Sequence, residues 1–307
     1  MKHCIAIADY TTEQINHILD VALRLRAERE SGQGNEPILK GKTLAMLFEK
    51  PSLRTRVSFE QGMFELGGHA ISLNQSEVGL GKRESPADVA RVLSGMVHGI
   101  AARVFEHDKV TELAEYGSVP VINMLSDYSH PCQALADVMT MIDEFGRDLA
   151  GRTLTYVGDG NNVAVSLAWI CAKLDIRFKI ATPAGYELPQ SELDKIMASC
   201  PDFKCTVADS PVEAVTGADV VYTDTWASMG QEEEKAQRIK EFQGYQVNDE
   251  LLSHAADHVI VLHCLPAYRG LEISDEVMEG SRSRVFPEAH NRLHAQKGVL
   301  AVLMGGQ

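Results

Sequence analysis

Four side chains within the five residues 52–56 could together bind a phosphate group. Ser52, Arg54, Thr55 and Arg56 follow the apolar segment 43–48 and precede a helical pattern of apolar residues. Hydroxyl donors, forked guanidinium cations and the N–H groups at a helix start all favour a small dianion. A capping Ser52 followed by two solvated arginines is the alternative, and for this segment alone it is the simpler one. The motifs further along the chain favour the phosphate site.

Two further motifs carry groups that act on carbonyl compounds. His130 and Gln133 lie one helical turn apart. They could polarise a carbonyl oxygen and hold an amide NH2 group, because the glutamine amide both donates and accepts. Residues 263–266 read His-Cys-Leu-Pro after the apolar segment 259–262, where open α/β sheets bind ligands. A capping or solvent-facing histidine and a buried structural cysteine are the alternatives for these two motifs.

The residues after the apolar segment 220–223 predict a site for an amino group. Asp224 supplies a carboxylate for an ammonium ion, and Ser228-Met229-Gly230 reads as a loop that could close over a substrate. The glutamates at 232–234 read as a solvated face. Asn161 and Asn162, at a predicted helix start, offer amides that can face a ligand.

Gly158 and Gly160 follow a predicted strand, as in a dinucleotide-binding turn. Val163 stands where a third glycine is expected, and the next strand ends in Ala181-Thr182-Pro183 without an acid for a ribose. An oxidoreductase is therefore the less favoured interpretation, and a lack of NAD binding would exclude it.

The elements that must position these groups alternate between strand and helix. Strands are predicted at 43–48, 70–73, 100–105 and 119–122, and again at 154–157, 178–181, 204–207, 220–223 and 259–262. Helices are predicted at 12–30, after 52, from 86, at 110–116, at 139–149 between the two halves, at 163–173 and at 288–303. The helix after Ser52 is predicted to place five apolar residues on one side: Val57, Phe59, Met63, Phe64 and Leu66. This alternation predicts an α/β protein with two domains, each a parallel-sheet α/β sandwich, and a substrate cleft between them.

Composition excludes several classes of protein. With 307 residues and 45% hydrophobic content, the chain can form two domains with large cores. Its net charge of −14 argues against general binding to nucleic acid or to anionic membranes. No apolar run approaches the roughly 20 residues of a spanning helix, and the first ten residues do not resemble a secretory signal. The six cysteines are scattered without a C-x-x-C pair, which favours a reducing cytoplasm and predicts no metal site.

Taken together, the motifs between Phe48 and Leu303 resemble those of the carbamoyltransferase family, and within it the ornithine carbamoyltransferases most closely. The S-T-R-T-R phosphate loop of the family matches residues 52–56, and its H-P-x-Q motif matches 130–133. Its H-C-L-P motif matches 263–266, and the ornithine-specific D-x-x-x-S-M-G motif matches 224–230. The resemblance also identifies Arg103 as the strand arginine, Asn162 as the ornithine-binding asparagine and Arg292 as the final-helix arginine.

The resemblance implies a reaction in which the carbamoyl group of carbamoyl phosphate is transferred to the δ-amine of L-ornithine, giving L-citrulline and phosphate. It implies a carbamoyl-phosphate domain at 1–135, completed by the final helix 288–307, and an ornithine domain at 136–287. No metal or organic cofactor is implied. A cytoplasmic homotrimer, or a multiple of trimers, is expected, without nucleic-acid or membrane partners. Anabolic and catabolic directions use the same residues, so the direction stays open.

The resemblance also implies a role for each matched residue. Arg103, His130 and Cys264 are the expected catalytic residues. L-Ornithine is expected to contact Asn162, Asp224, Ser228 and Met229. Carbamoyl phosphate is expected to contact Ser52, Leu53, Arg54, Thr55, Arg103, His130, Gln133, Cys264, Leu265 and Arg292.

Two positions depart from the family pattern. Leu53 replaces the first threonine of the phosphate loop, where a backbone N–H can still bind phosphate. Gly79 stands where many ornithine enzymes have a glutamine that reaches carbamoyl phosphate, with Lys82 or Gln75 as possible substitutes.

Three alternatives to ornithine carbamoyl transfer follow from the motifs. Another amine, such as putrescine, could be the acceptor. Aspartate is disfavoured, because a dicarboxylate needs extra cations and the second domain offers Asp224 instead. A non-catalytic paralogue is disfavoured by the intact Arg54, His130, Gln133 and Cys264.

Overall fold

The computed structural model describes residues 1–227 and 234–307, which form two compact units. One unit comprises Met1–Met139 with His290–Gln307, and the other comprises Thr140–Ala289. Within the described residues, no helix combines the length and apolarity needed to cross a membrane.

The first unit is built on a parallel sheet. Its strands are β1 (Thr43–Phe48), β2 (His69–Asn74), β3 (Gly99–Arg103) and β4 (Val121–Leu125), in the order β2-β1-β3-β4. The strand order therefore reverses between β1 and β3, the kind of position at which open α/β sheets bind ligands.

The first helix of this unit precedes its strands along the chain, and the next four helices lie between them. They are α1 (Thr12–Glu30), α2 (Leu53–Glu65), α3 (Gln75–Val78), α4 (Pro86–Ser94) and α5 (His107–Tyr116), after a 3₁₀ turn at Ile7–Asp9. Helix α6 (Pro131–Phe145) begins in this unit and ends in the second. One hydrophobic core joins the sheet to α4 and α5, with Leu47, Ile100, Val121, Val89 and Val110 among its fully or nearly fully buried members.

The second unit repeats this plan. Its strands are β5 (Thr153–Val157), β6 (Arg177–Ala181), β7 (Cys205–Val207), β8 (Val220–Thr223) and β9 (Ile260–His263). All paired neighbours are parallel, in the order β7-β6-β5-β8-β9. The strand order reverses between β5 and β8, so the carboxyl ends of these two strands are the expected place for a ligand.

The helices of the second unit are mostly short. They are α7 (Asn162–Lys173), α8 (Gln190–Ser199), α9 (Pro211–Val215), α10 (Lys235–Glu241), α11 (Asp249–Leu252) and α12 (Asp275–Glu279). Helix α13 (Val285–Leu300) begins here, ends in the first unit and continues as a π-helical turn at Ala301–Gly305.

The predicted α/β class with two parallel-sheet domains is confirmed, and α1 and β1 have the predicted bounds. The bounds predicted for the bridging helix at 139–149 are wrong, although a helix does run from the first unit into the second. A single helix, α6, runs from Pro131 to Phe145, because proline is favoured in the first turn and Gly146, with φ of 86°, ends the helix.

The predicted apolar side of α2 is wrong in two places. Phe59, Met63 and Leu66 are fully buried, but Val57 is 55% and Phe64 is 74% exposed. Residues 59, 63 and 66 follow the i, i+4, i+7 spacing of one helix face, whereas Val57 and Phe64 share the opposite face with Leu53. The helix therefore carries a second, exposed apolar stripe.

Candidate functional site

The expected phosphate-binding residues lie at the carboxyl edge of the first sheet. The loop 49–52 follows β1, Arg103 is the last residue of β3, and His130 follows β4. These three strands are neighbours, so the sheet brings the three segments to one edge. Arg103, His130 and Gln133 are buried, with at most 6% of any of them exposed.

The start of α2 has an open first turn. Ser52 is the N-cap residue, yet its hydroxyl makes no capping bond and donates to Thr55 Oγ1 at 3.0 Å instead. The alternative in which Ser52 is simply a cap is therefore wrong. The N–H groups of this turn and its partial positive charge favour an anion.

The two arginines of the loop have different surroundings. Arg54 is half-buried, and its charge acts on His130. Arg56 lies on the exposed side of α2 and pairs with Glu60, Nε to Oε1 at 2.9 Å. The prediction that both arginines form the phosphate socket is therefore wrong for Arg56, because residues two positions apart on a helix point about 200° apart around its axis.

Arg292 of α13 links two parts of this edge. Its Nη1 donates to Gln133 Oε1 at 2.6 Å, and its Nη2 donates to Thr55 Oγ1 at 3.3 Å. Gln133 Nε2 donates in turn to Asp137 Oδ1 at 2.8 Å. The Nε atom of Arg292 is buried and has no hydrogen-bond partner among the described residues. A buried donor without a partner favours an acceptor from a ligand.

His130 is held neutral in this cluster of cations. Burial lowers its pKa well below the ordinary value, and the charges of Arg292, Arg103, Arg54 and Lys50 lower it further. At neutral pH the ring therefore has one donor and one acceptor nitrogen, and it can donate to a carbonyl oxygen.

Lys50 is a candidate functional residue that the motifs did not indicate. Its Nζ lies 4.3 Å from the centroid of the Phe105 ring. Burial, followed by repulsion from Arg103, lowers the pKa of Lys50 to about 8. The signal in the sequence was its place two residues before Ser52, whereas its contact with Phe105 depends on the fold.

The second unit brings its candidate residues to the carboxyl ends of β5, β8 and β9, which are also neighbours. Asn161 caps α7, since its Oδ1 accepts from the N–H groups of Val163 at 2.9 Å and Ala164 at 3.2 Å. Its Nδ2 donates to Asp224 Oδ2 at 2.9 Å. The expectation that Asn161 faces a ligand is therefore wrong, whereas Asn162 is the half-buried first residue of α7.

Asp224 is only 5% exposed and lies beside Cys264. The Cys264 thiol donates to Asp224 Oδ1 at 3.0 Å, and the Thr225 N–H donates to the same oxygen at 2.8 Å. The structure thus brings together two residues from separate motifs. Ser228 and Met229 lie outside the described residues.

His263 orients the backbone that follows β9. Its Nδ1 accepts from the Leu265 N–H at 2.9 Å, so the ring proton is on Nε2 and faces Glu272 Oε1 at 3.0 Å. Leu265 has φ of 58°, which is rare for a residue with a side chain and common at functional sites. Cys264 is half-buried, so the alternative of a fully buried structural cysteine is wrong.

Three potential metal ligands, Asp224, His263 and Cys264, have donor atoms within 4.8 Å of one another. Both nitrogens of His263 are already engaged by Leu265 and Glu272. A metal ion would have to displace one of these contacts, so the histidine fits a structural role.

The turn at Gly158–Gly160 is filled by the protein itself. The Gly160 N–H donates to the Tyr186 carbonyl at 2.8 Å, and a Cβ on Gly160 would lie 2.5 Å from the Leu188 nitrogen. Gly160 therefore allows the backbone of residues 186–188 to pack closely against the turn. This packing explains the presence of the glycine without a dinucleotide.

Two family models match the chain. One, described as the carbamoyl-P binding domain of aspartate/ornithine carbamoyltransferase, matches residues 2–143. The other, described as its Asp/Orn binding domain, matches residues 150–303. The chain belongs to the aspartate/ornithine carbamoyltransferase family. The resemblance read from the motifs is thereby confirmed.

Individual members of the family are similar over nearly the whole chain. The ornithine carbamoyltransferase of Carboxydothermus hydrogenoformans is 51% identical over 98% of this chain and 97% of its own length. The solved ornithine carbamoyltransferase from Pyrococcus furiosus is 48% identical with a TM-score of 0.96, over 100% of this chain and 98% of that one. A solved acetylornithine transcarbamylase in complex with acetylcitrulline is 30% identical with a TM-score of 0.88, over 99% of both chains.

The two departures from the pattern of this carbamoyltransferase family have local explanations. Leu53 directs its side chain outward, where it is 75% exposed, and leaves its backbone at the start of α2. Gly79 ends α3 in the left-handed conformation with φ of 66°, which a glutamine would adopt only with strain. Gln75 Nε2 donates to the Leu80 carbonyl at 3.5 Å, and Lys82 is exposed. Their substitution for the family glutamine stays a prediction.

Proposed function

We propose that the chain transfers the carbamoyl group of carbamoyl phosphate to the δ-amine of L-ornithine, which gives L-citrulline and phosphate. The observation that carries this proposal is the buried cluster of Arg103, His130, Gln133 and Arg292 at the edge of the first sheet. The second sheet carries the complementary chemistry for an amine, a buried Asp224 beside the Cys264 thiol. The relatives named ornithine carbamoyltransferase support ornithine over putrescine as the acceptor.

Carbamoyl phosphate binds first, with its phosphate at the start of α2. Ser52, Arg54 and Thr55 supply side-chain donors, and Leu53 supplies its backbone N–H. The open first turn of α2 and the half-buried Arg54 support this assignment. Arg103, as the last residue of β3, provides a further cation.

The carbamoyl carbonyl is polarised by Arg103 and His130. The ring of His130 stays neutral among the surrounding cations and keeps one N–H to donate. The same groups stabilise the oxyanion of the tetrahedral intermediate, where fixed donors in a buried site have their largest effect. The Gln133 amide oxygen, which accepts from Arg292 Nη1, is also proposed to accept from the carbamoyl NH2 group.

Arg292 supports this arrangement from α13. Its Nη atoms orient Gln133 and Thr55, and its unpartnered Nε is an additional donor to carbamoyl phosphate. The assignment of the Cys264 and Leu265 backbone to the carbamoyl NH2 group stays a prediction of the family resemblance.

L-Ornithine binds to the second unit through Asp224 and Asn162. Asp224 holds the α-ammonium group, because a buried carboxylate is costly unless it meets a cation. Asn162 holds the α-carboxylate, and Ser228 and Met229 are proposed to close over the amino acid. The reacting δ-amine must lose its proton, which at neutral pH costs on the order of 4 kcal/mol for an alkylamine of pKa ~10. Desolvation and orientation beside Cys264 reduce this cost.

We assign each substrate to one of the two domains whose bounds the sequence predicts. Residues 1–135, completed by 288–307, form the carbamoyl-phosphate domain, and residues 136–287 form the ornithine domain. A substrate cleft stays a prediction. The proposed setting is the cytoplasm, and arginine biosynthesis is one of two possible directions of flux.

A homotrimer, or a multiple of trimers, is the proposed assembly. The exposed apolar stripe of α2 supports it, since Leu53, Val57 and Phe64 are 75%, 55% and 74% exposed on one helix face. Exposed apolar patches on soluble proteins commonly mark an interface. Light scattering on wild type and on Phe64→Ser tests this, with smaller particles expected for the variant. A monomeric wild type would contradict the proposal.

The reaction itself is tested by measuring citrulline and phosphate together. Purified protein with carbamoyl phosphate and L-ornithine should release one phosphate for each citrulline formed. His130→Ala should retain the fold and lose most of this activity, since general acid–base and polarising groups contribute about 10²- to 10⁴-fold. Phosphate release above the enzyme-free rate, without citrulline, would contradict carbamoyl transfer to ornithine.

A further inference from the structure

The guanidinium of Arg238 is buried in the second unit and makes three bonds. Arg238, on α10, is 6% exposed. Its Nη1 donates to Asp159 Oδ2 at 2.7 Å and to the Trp226 carbonyl at 2.9 Å, and its Nε donates to Glu234 Oε2 at 3.0 Å. No motif of the sequence analysis indicated this residue.

Two of the three partners of Arg238, Asp159 and Trp226, belong to the two loops that carry the ornithine residues. Asp159 follows β5 and comes two residues before Asn161. Trp226 follows β8 and comes two residues after Asp224. A single guanidinium nitrogen therefore bonds to both loops. The loops are also joined directly where Asn161 Nδ2 donates to Asp224 Oδ2.

The surroundings of Arg238 fix its position. Its guanidinium carbon lies 4.7 Å from the centroid of the Tyr186 ring, and Trp226 packs on Phe242 with ring centroids 5.5 Å apart. Burial raises the pKa of Asp159, and the Arg238 charge opposes that rise. A buried ion pair is weak evidence for stability, because desolvation offsets its attraction. The directed hydrogen bonds of Arg238, by contrast, fix the relative positions of the groups that they join.

We propose that Arg238 is a positioning residue for the amino-acid half of the site: it ties the Gly158–Asn162 turn to the Asp224–Trp226 segment and so sets the position of Asp224 relative to Asn162. The inference rests on the proposed function, in which these two residues hold L-ornithine. Lysine cannot replace Arg238, since an ammonium lacks the planar fork that bonds several acceptors in fixed directions.

The chain offers a control in a second arginine–aspartate pair. Arg152 directly precedes β5, and Asp219 directly precedes β8. Arg152 Nη1 donates to Asp219 Oδ1 at 2.9 Å. This pair therefore joins the same two neighbouring strands at their amino ends, away from the candidate ligand residues. A general loosening of the sheet would follow from breaking either pair, whereas a misplaced Asp224 follows only from breaking the Arg238 link.

The test compares Arg238→Lys, Asp159→Ala and Arg152→Met with wild type. We measure the KM for L-ornithine, kcat, the Kd for carbamoyl phosphate and the melting temperature. Both Arg238→Lys and Asp159→Ala should raise the KM for ornithine about tenfold or more, since small displacements of binding groups cost that much or more in rate. The Kd for carbamoyl phosphate should stay within about twofold, and Arg152→Met should leave the ornithine KM unchanged even if it lowers the melting temperature.

The outcomes separate this inference from the proposed function. A wild type that forms no citrulline overturns the proposed function. An active wild type whose ornithine KM is unchanged in a folded Arg238→Lys or Asp159→Ala protein overturns the positioning role. An equal rise in KM for Arg152→Met also overturns it, because the effect would then be general.

Discussion

Arg292 Nη1 lies 2.6 Å from Gln133 Oε1, so the final helix directly orients a residue of the His-Pro-Cys-Gln motif. Arg292 donates only, so the amide oxygen of Gln133 must face it and the NH2 group must face Asp137. We predict that Arg292→Lys weakens carbamoyl phosphate binding about 10- to 100-fold, as expected for lost charge-assisted hydrogen bonds. Calorimetry with carbamoyl phosphate measures this, and an unchanged Kd would contradict it.

Arg54 and Arg56 provide a matched pair for the phosphate site. Arg54 is half-buried beside the cluster, whereas Arg56 is on the surface and pairs with Glu60. We expect Arg54→Gln to weaken carbamoyl phosphate binding by about 2–3 kcal/mol and Arg56→Gln to leave it nearly unchanged. Equal losses in the two variants would indicate a long-range charge effect instead of a specific contact.

Lys50 should give carbamoyl phosphate binding a pH dependence above neutrality. With its pKa lowered to about 8, Lys50 is charged at pH 7 and mostly neutral at pH 9. The phosphate group keeps its charge over this range, since its second pKa is about 6. Affinity should therefore fall as the pH rises from 7 to 9.

Two variants isolate the contribution of Lys50. Lys50→Arg should keep the charge and remove the fall in affinity, because arginine does not titrate in this range. Lys50→Met should bind weakly at both pH values. If all three proteins show the same pH dependence by calorimetry, the charge on Lys50 does not act on the ligand.

The sequence predicts the fold class and the location of several candidate site residues, because these motif residues follow apolar strands. Parallel strands align their carboxyl ends, so Arg103 and His130 could be expected at one edge and Asp224 and Cys264 at another. The details depend on single-residue positions. Asn161 caps α7 while the adjacent Asn162 begins it, and nothing in the pair distinguishes the two roles.

Other features depend on contacts between residues far apart in the chain. The bonds of Arg292 require the 159-residue separation from Gln133 to be closed by the fold. The lowered pKa of Lys50 depends on burial, and Arg238 carries no motif at all. Periodicity also misplaced Val57 and Phe64, since an exposed apolar stripe has the same pattern as a buried one.

Replacement of Asp224 should impair the use of L-ornithine and leave the binding of carbamoyl phosphate nearly unchanged. Asp224→Asn keeps the shape of the side chain and an acceptor oxygen but removes the charge that meets the α-ammonium group. We predict a fall in kcat/KM for L-ornithine of about 100-fold, since loss of a buried charge partner costs about 3 kcal/mol. The Kd for carbamoyl phosphate should change by less than about twofold. A parallel loss of carbamoyl phosphate affinity would place Asp224 in the wrong half of the site.

The identity of the acceptor is the central claim, and direct competition tests it. Carbamoyl phosphate labelled with ¹³C is supplied with equal concentrations of L-ornithine, putrescine and L-aspartate, and the labelled products are quantified by NMR. Putrescine lacks the α-carboxylate that Asn162 is proposed to bind, and a site built for a polar group rejects such analogues by about 10⁴-fold. The account predicts that essentially all of the label appears in citrulline. Labelled carbamoylputrescine in comparable amount would contradict it.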